Sequence, residues 1–584
     1  MIPVNRTYAP LQVFVDELAR CGIEHAVTCP GSRNAPLLFT LVGERRIHST
    51  SVIDERSAAF VALGIAKTSG RPVALTCTSG TAAANFLPAL IEAREARVAL
   101  IVLTADRPPE LRDTGAGQAI DQLKLYGSAV KWFVEVGNHE PGRATAIHHR
   151  ALACRAYLTA AGGRPGPVHL NFSLREPLAP IAEQLDAAPW EGRADGQPWV
   201  RLVEPAPTAL GPLVTSLASA IAATPRGAIV CGETAEEVAA PAARLAAAAG
   251  WPLLAEPTSG ARCGTHDRSH VVAHYDALLH DERFAAAHAP DLVIRIGDTP
   301  TSKPLRAWLS GGRQVVVDPH VAWHEPTRVA ETIVAAAAVA TCDQLAGELE
   351  RAAHAPATDW IRSWRAADAL VPAALDKVAD PFAPTIYAAL ADALPPNATI
   401  WLSSSMPIRD VETFFPQVAT PLRFLANRGA NGIDGVVSSA LGAALAGARV
   451  FLLIGELALL HDIGGLLAAK RHGVDLTIVC ANNGGGGIFD FLPLAEHGDH
   501  RLYEEHIATP SEIDLARLAA LVDLPHTLIK SASELRSILD ATGLIEIPTG
   551  LIEIRTDRAR DVELHRDLLA DIARQLERSP HLSP

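Results

Sequence analysis

The apolar positions of the chain come in short runs separated by longer stretches of helical spacing. In the first third, His25-Ala-Val-Thr28 leads into the turn Pro30-Gly31-Ser32. The run Val73–Thr78 stops at Ser79-Gly80-Thr81, where an alanine-rich helical stretch begins. Val98–Leu103 is a further apolar run, and Pro167-Val-His-Leu-Asn-Phe172 reads as the last strand of the block. Strands alternating with helices predict a parallel, doubly wound α/β sheet. The polar, turn-rich segment Ala187–Pro207 predicts a linker. A second block carries strand-like runs at Ala228–Cys231, Leu292–Ile296 and Gln314–Val317 and ends over His354–Asp359. A third starts near Pro381, with runs at Thr399–Leu402, Val450–Ile454, Leu476–Cys480 and Gly550–Glu553. The expectation is three α/β domains, each a doubly wound parallel sheet of one shared architecture, over residues 1–186, 208–353 and 375–584.

Composition narrows the class. A length of 584 residues calls for several domains instead of one core. The longest uncharged run, 205–225, is interrupted by Thr208, Pro212, Thr215 and Ser216, so no membrane span and no integral membrane association are expected. The first residues, MIPVNRTYAP, lack a basic segment followed by an apolar one, so no secretory signal is expected either. The eight cysteines are scattered without a C-x-x-C pair, which suits reduced thiols in a cytoplasmic protein and does not suggest zinc. A net charge of −14 disfavours general nucleic-acid binding. It also means that an anionic substrate needs a locally basic pocket.

The candidate chemistry lies in Val450–Leu492. An apolar strand ends in Gly455-Glu456-Leu457, a helical stretch follows, and a second strand ends in Asn482-Asn483-Gly484-Gly485, with Asn483 27 positions after Glu456. A carboxylate and an amide oxygen at adjacent strand ends can hold Mg²⁺, which takes hard oxygen ligands and keeps contact with phosphate. Glycines let the backbone approach phosphates closely. A second feature is Asp54-Glu55-Arg56 before a helical Ser57–Lys67. Taken alone, acidic residues there also read as dipole stabilisation in a first helical turn.

The first feature resembles the thiamine-diphosphate signature, Gly-Asp followed by about two dozen residues and Asn-Asn. The resemblance implies thiamine diphosphate with Mg²⁺ or Mn²⁺, the metal held by Glu456, Asn483 and Gly485. Here Glu456 stands where the signature usually has Asp. The resemblance also implies that Glu55 is the carboxylate beside the cofactor's aminopyrimidine, an acid–base role.

The match then narrows. CPGSRNAPL (Cys29–Leu37), DERSAAFVALGIAK (Asp54–Lys67), TSGTAAANFLPA (Thr78–Ala89), LTADRPPELRDTGAGQAIDQ (Leu103–Gln122), PVHLNFSLREPL (Pro167–Leu178), SSSMPIRDVE (Ser403–Glu412), NRGANGIDG (Asn427–Gly435) and ANNGGGGIFDFLP (Ala481–Pro493) are similar to the 2-succinyl-5-enolpyruvyl-6-hydroxy-3-cyclohexene-1-carboxylate (SEPHCHC) synthase family of menaquinone biosynthesis. The resemblance runs from about Tyr8 to Arg555 and is thin in the middle block. It implies a transferase that decarboxylates 2-oxoglutarate and adds the resulting succinyl-semialdehyde carbanion to isochorismate. Both substrates carry two carboxylates, which calls for clustered cations, arginine above all. The family's motif positions supply Ser32, Arg33, Arg107 and Gln118, then Lys303 in T-P-T-S-K-P, then Arg409 and Arg428. Each arginine alone also reads as a surface ion pair. Cofactor contacts fall at Ser405, Met406, Ile433, Gly455, Glu456, Leu457, Asn483, Gly485, Ile488 and Phe489. Ile488 and Leu492 would form an apolar wall against the substrate. For Ile433, Ile488, Phe489 and Leu492 a plain core position is the competing reading. Two departures bear on isochorismate: Gly117 where the family often has Asn, and Pro304 where it often has Arg.

In this superfamily the cofactor lies between the first block of one subunit and the third block of another, which implies a homodimer or a dimer of dimers. Two alternatives stay open at this point: another thiamine-diphosphate decarboxylase or carboligase, acetolactate-synthase-like, and a catalytically silent relative, for which Glu456 is the only support.

Overall fold

The computed structural model describes residues 5–185, 191–203, 211–474, 476–541 and 549–579. Of the expected linker Ala187–Pro207, residues 187–190 and 204–207 lie outside the described residues. The chain forms three six-stranded sheets in which every described strand pair is parallel. The first holds β1 (His25–Thr28), β2 (His48–Ser51), β3 (Val73–Cys77), β4 (Leu100–Asp106), β5 (Trp132–Glu135) and β6 (Val168–Ser173), in the order β2-β1-β3-β4-β6-β5. The second holds β7 (Gly227–Cys231), β8 (Leu253–Ala255), β9 (Val271–Val272), β10 (Leu292–Ile296), β11 (Arg313–Val317) and β12 (Ala330–Val334), in the order β12-β11-β10-β7-β8-β9. The third holds β13 (Thr399–Leu402), β14 (Arg423–Ala426), β15 (Val450–Gly455), β16 (Thr477–Asn482), β17 (His526–Ile529) and β18 (Gly550–Arg555), in the order β14-β13-β15-β16-β18-β17.

The first and third sheets therefore share one strand order, and the middle sheet has another. The expectation of a single architecture holds at the level of the doubly wound class but not of topology. In the middle sheet the chain walks outward through β7, β8 and β9, then returns to the centre and walks the other way through β10, β11 and β12. In either order, the place where the walk reverses leaves a crevice at the carboxyl ends of two neighbouring strands. In the third sheet those strands are β13 and β15, and the chain beyond them carries Ser405, Met406 and Glu456.

By contacts the chain divides into two compact units. One comprises residues 1–204, 427–448 and 458–476; the other comprises 205–426, 449–457 and 477–584. In the first unit, helix Glu55–Ser69 packs on helix Val436–Leu445 with almost no space between the backbones. A Cβ on Gly64 would lie 2.0 Å from the Ser439 carbonyl oxygen, and one on Gly442 would lie 2.2 Å from that of Val61. Both obstacles are backbone atoms that no rotamer change moves aside. Gly64→Ala is therefore expected to force the helices apart at a cost of about 1–3 kcal/mol. A thermal unfolding midpoint equal to the parent's would contradict that reading of the crossing.

Candidate active site

In the second unit, β15 ends at Gly455, and Glu456 opens the helix Glu456–His461. Strand β16 ends at Asn482 and runs into the glycine loop. The turn there needs Gly484, whose φ is +78°, a conformation that side chains disfavour. Glu456 is buried, and its Oε1 accepts a hydrogen bond from the Gly485 N–H at 2.6 Å. Burial pushes the Glu456 carboxyl up to about 7; backbone N–H groups of Glu456, Gly485 and Asn483, then Arg558, oppose the rise in part. Asn483 projects an amide oxygen that is buried without a hydrogen-bond partner. A Cβ on Gly487 would sit 2.3 Å from the Asn483 side chain, so that glycine keeps the amide's place open.

An orphaned buried amide oxygen beside a buried carboxylate fits a hard divalent cation. The cation would satisfy the first and offset the burial cost of the second. The two asparagines do different work. Asn482 donates from Nδ2 to Glu553 Oε1 at 2.8 Å, and Glu553 also meets His526 at 2.7 Å. Asn482 therefore ties β16 to β18, while the Asn483 amide oxygen stays without a partner. Sequence reading missed Glu553, although a glutamate inside the apolar run of β18 was a signal that something must satisfy it. It also missed Arg558, which bonds Glu504 at 2.6 Å behind the glycine loop.

Ser405 begins helix Met406–Phe414 with φ +75° and ψ −134°, a strained region for a residue with a side chain. Its carbonyl accepts from Arg409 Nη1 at 2.6 Å. Arg409 is exposed, Met406 half-buried. Phe489 is 39% and Leu492 46% exposed, so the core reading fails for both; Ile488 and Ile433 are half-buried. Lys303 is exposed at the start of helix Lys303–Leu309, and Pro304 occupies that helix's first turn, where its missing N–H costs nothing.

In the first unit, Asp54 caps helix Glu55–Ser69 by accepting from Arg56 N and Ser57 N, each at 3.3 Å, and from Ser57 Oγ at 2.7 Å. Glu55 is half-buried at the first helical position, and burial raises its carboxyl pKa, with Asp54 adding to the rise. The strand-end turn after β3 meets the loop after β4. Arg107 donates to Ser79 Oγ at 3.2 Å and to the Gly117 carbonyl at 3.0 Å. Gln118, at φ +57°, donates to the Ser79 carbonyl at 3.0 Å. The departure at Gly117 thus leaves its backbone in use. Arg33 donates to the Leu174 carbonyl at 2.7 Å, and its pKa is lowered by burial and then by the nearby charge of Arg107. Two cations held within reach of one another are the basis of an anion pocket. Ser32, beside Arg33, is exposed. Arg112 of the same motif is instead spent on Asp106 and Glu135, at 2.8 and 2.7 Å.

Arg428 lies in the loop between β14 and helix Val436–Leu445. That loop is clamped by a residue that sequence reading missed. Glu92, buried in helix Leu87–Glu95, accepts from Gly429 N at 2.8 Å and Ala430 N at 2.6 Å, one bond to each oxygen. No sequence signal joins positions 337 apart. Glu92→Ala leaves both N–H groups unsatisfied and is expected to cost about 1–3 kcal/mol, with a rise in KM if Arg428 binds substrate. Steady-state kinetics beside thermal unfolding checks both.

Residues 11–125 match the thiamine pyrophosphate enzyme N-terminal TPP-binding domain, 192–401 the middle domain of thiamine pyrophosphate enzymes, and 410–547 the C-terminal TPP-binding domain. The chain is 43% identical to the SEPHCHC synthase of Geobacillus thermodenitrificans over 96% of each chain. It is 44% identical to that of Geobacillus kaustophilus, over 96% of this chain and 97% of that one. This chain belongs to the SEPHCHC synthase family. The synthase of Myxococcus xanthus is a further relative, 43% identical over 97% of this chain and 98% of that one. The middle block, where the sequence resemblance was thin, is thus a family domain as well. The chain is a thiamine-pyrophosphate enzyme of the SEPHCHC synthase type, and the doubly wound three-sheet fold is the one expected.

Proposed function

We propose that the protein is a SEPHCHC synthase of menaquinone biosynthesis, which decarboxylates 2-oxoglutarate and joins the remaining four-carbon unit to isochorismate with Mg²⁺ or Mn²⁺ present. What carries the reading is the match to such synthases over nearly the whole chain, with Glu55, Glu456 and Asn483 at their motif positions. Bound thiamine diphosphate supplies a carbon nucleophile for a 2-oxo acid. Glu456, Asn483 and the Gly485 carbonyl would hold its metal; Ser405, Met406, Gly455, Leu457 and Ile433 would line it. Glu55 holds and releases a proton at its carboxylate. Arg33, Arg107, Gln118 and Ser32, with Arg409, Arg428 and Lys303, bind and orient substrate carboxylates. Ile488, Phe489 and Leu492 exclude water from the reacting carbons.

No helix among the described residues is long and apolar enough to cross a membrane. We place the enzyme in the cytoplasm, working on small molecules without nucleic acid, as at least a homodimer. Leu87 and Ile91, one helical turn apart and 36% and 42% exposed, are apolar area that a second copy would cover. The deciding experiment supplies 2-oxoglutarate with isochorismate and follows isochorismate loss, comparing Mg²⁺ with Mn²⁺. Turnover of pyruvate but not of this pair would overturn the assignment.

A further inference from the structure

One corner of the first unit holds reactive side chains that the proposed reaction does not use. Cys21 is the last residue of helix Tyr8–Cys21, and Cys154 lies on helix Arg143–Ala161, 133 positions later. Their sulfurs are 3.6 Å apart, with the Cys21 thiol donating to Cys154 Sγ. Cys154 in turn donates to Glu17 Oε1 at 3.4 Å. Cys154 is 1% exposed and Glu17 0%. Cys21 is half-buried, whereas the other seven cysteines are buried. A thiol that solvent reaches thus leads through a buried thiol to a buried carboxylate.

A metal ion is poorly served by this cluster. Glu17 Oε2 already meets Arg150 Nη1 at 2.6 Å, and Arg150 is itself buried. That guanidinium neutralises the carboxylate and would repel a second cation. A disulfide brings no charge. Its S–S bond is about 2.0 Å long, so the two sulfurs have to close by about 1.6 Å. Cys21 stands where the hydrogen-bond ladder of its helix stops and Gly22 turns the chain away at φ +110°, so that end can make the shift. The same groups also hold a neighbouring stretch of chain. Trp199 N donates to Glu17 Oε1 at 2.5 Å, and Val200 N donates to Cys154 Sγ at 3.3 Å.

We propose that Cys21 and Cys154 form a reversible redox site that takes a hydroperoxide as its oxidant and closes to a disulfide. The Cys21 proton passes to Cys154 as the Cys154 proton passes to Glu17, and the Cys21 thiolate attacks a peroxide oxygen. The O–O bond breaks, Cys21 becomes a sulfenic acid and hydroxide leaves. Cys154 then loses its proton, attacks the sulfenic sulfur and expels a second hydroxide. Each hydroxide is neutralised by one thiol proton, so two thiols and one hydrogen peroxide give one disulfide and two waters. An external dithiol reverses the change by exchange, as suits the transient disulfides of reducing compartments. A disulfide sulfur has no proton for Glu17 and accepts more weakly from Val200 N, so oxidation loosens the chain at Trp199 and Val200.

The test treats the whole protein with a slight excess of hydrogen peroxide, alkylates the remaining thiols after denaturation and maps the peptides. The expected product joins the Cys21 and Cys154 peptides, leaves the other six cysteines alkylated and returns both thiols with dithiothreitol. Cys154→Ser should let Cys21 run on to sulfinic acid, because no second thiol intercepts the sulfenic acid. Cys21→Ser should leave Cys154 a free thiol, and decides the matter alone if Cys154→Ser does not fold. Glu17→Gln should slow disulfide formation about tenfold or more; an unchanged rate would strike Glu17 from the step. Hydrogen exchange at the Trp199 and Val200 amides should quicken about five- to tenfold in the oxidised parent and in neither cysteine variant. Two alkylated thiols after peroxide, or sulfinic acid at Cys21 of the parent, would overturn the site. A joined pair with unchanged amide exchange would overturn the loosening.

Discussion

Glu55→Gln is expected to lower turnover by about 10²–10⁴-fold while leaving cofactor binding and the unfolding midpoint near those of the parent. The argument turns on which residue caps the helix. An acidic side chain at a first helical position commonly serves the helix dipole, a contribution of about 0.3–1 kcal/mol. Here Asp54 already satisfies the N–H groups of Arg56 and Ser57. Among the described residues the Glu55 carboxylate has no side-chain hydrogen-bond partner, and helix Glu55–Ser69 is fixed by its glycine crossing. Removing the charge of Glu55 thus takes little from stability. What it removes is a proton-exchanging group whose pKa burial has moved toward neutrality, the direction that favours general acid–base work. Turnover assays beside a calorimetric titration with thiamine diphosphate and Mg²⁺ separate the two roles. A Gln variant as active as the parent would remove Glu55 from the chemistry.

The strands that sequence pattern located and those it missed differ by position in the sheet. Central strands such as β3, β4 and β7 are buried at every residue and read as mostly apolar runs. Edge strands do not. β2 is His-Ser-Thr-Ser, partly exposed and without an apolar residue, and β17 has two exposed residues of four. A strand of two residues, β9, has no periodicity to detect. Boundaries moved for a related reason: the run read as Val98–Leu103 is strand only from Leu100, but continues to Asp106, where polar Thr104 and Asp106 are buried by partners on β6.

The site was legible where one segment carries a whole function. Glu456 and Asn483 stand at the ends of adjacent strands, and their spacing encodes the crossover between them. Residues that act by long-range hydrogen bonds were not legible. Glu92 clamps a loop 337 positions away, and Asp276 reaches Thr413 across 137. Each is an ordinary acidic residue in an ordinary helix until the fold supplies its partner.

The second large effect concerns Glu456, and the expected signs for stability and for binding are opposite. Gln keeps the length and an oxygen able to accept from Gly485 N, but carries no charge. In the metal-free protein the carboxyl is shifted from the ordinary 4.5 up to about 7 by burial. A raised folded-state pKa contributes stability below about pH 4.5 that is lost as pH rises through about 7. At neutral pH and above, the metal-free parent therefore bears a penalty of up to about 3 kcal/mol that Glu456→Gln does not. The variant's metal-free unfolding midpoint should match the parent's near pH 5 and exceed it near pH 8. Adding Mg²⁺ with thiamine diphosphate should reverse the ranking. The parent gains by mass action, in proportion to the logarithm of ligand over Kd, whereas the variant has lost the anionic ligand and gains little. Asn483→Ala, which removes the orphaned oxygen without touching the charge, should lose the ligand response and keep the parent's pH dependence. Unfolding midpoints across that pH range, with and without metal and cofactor, give all three results. A Gln variant stabilised by the ligands as strongly as the parent would show that Glu456 is not the metal's carboxylate.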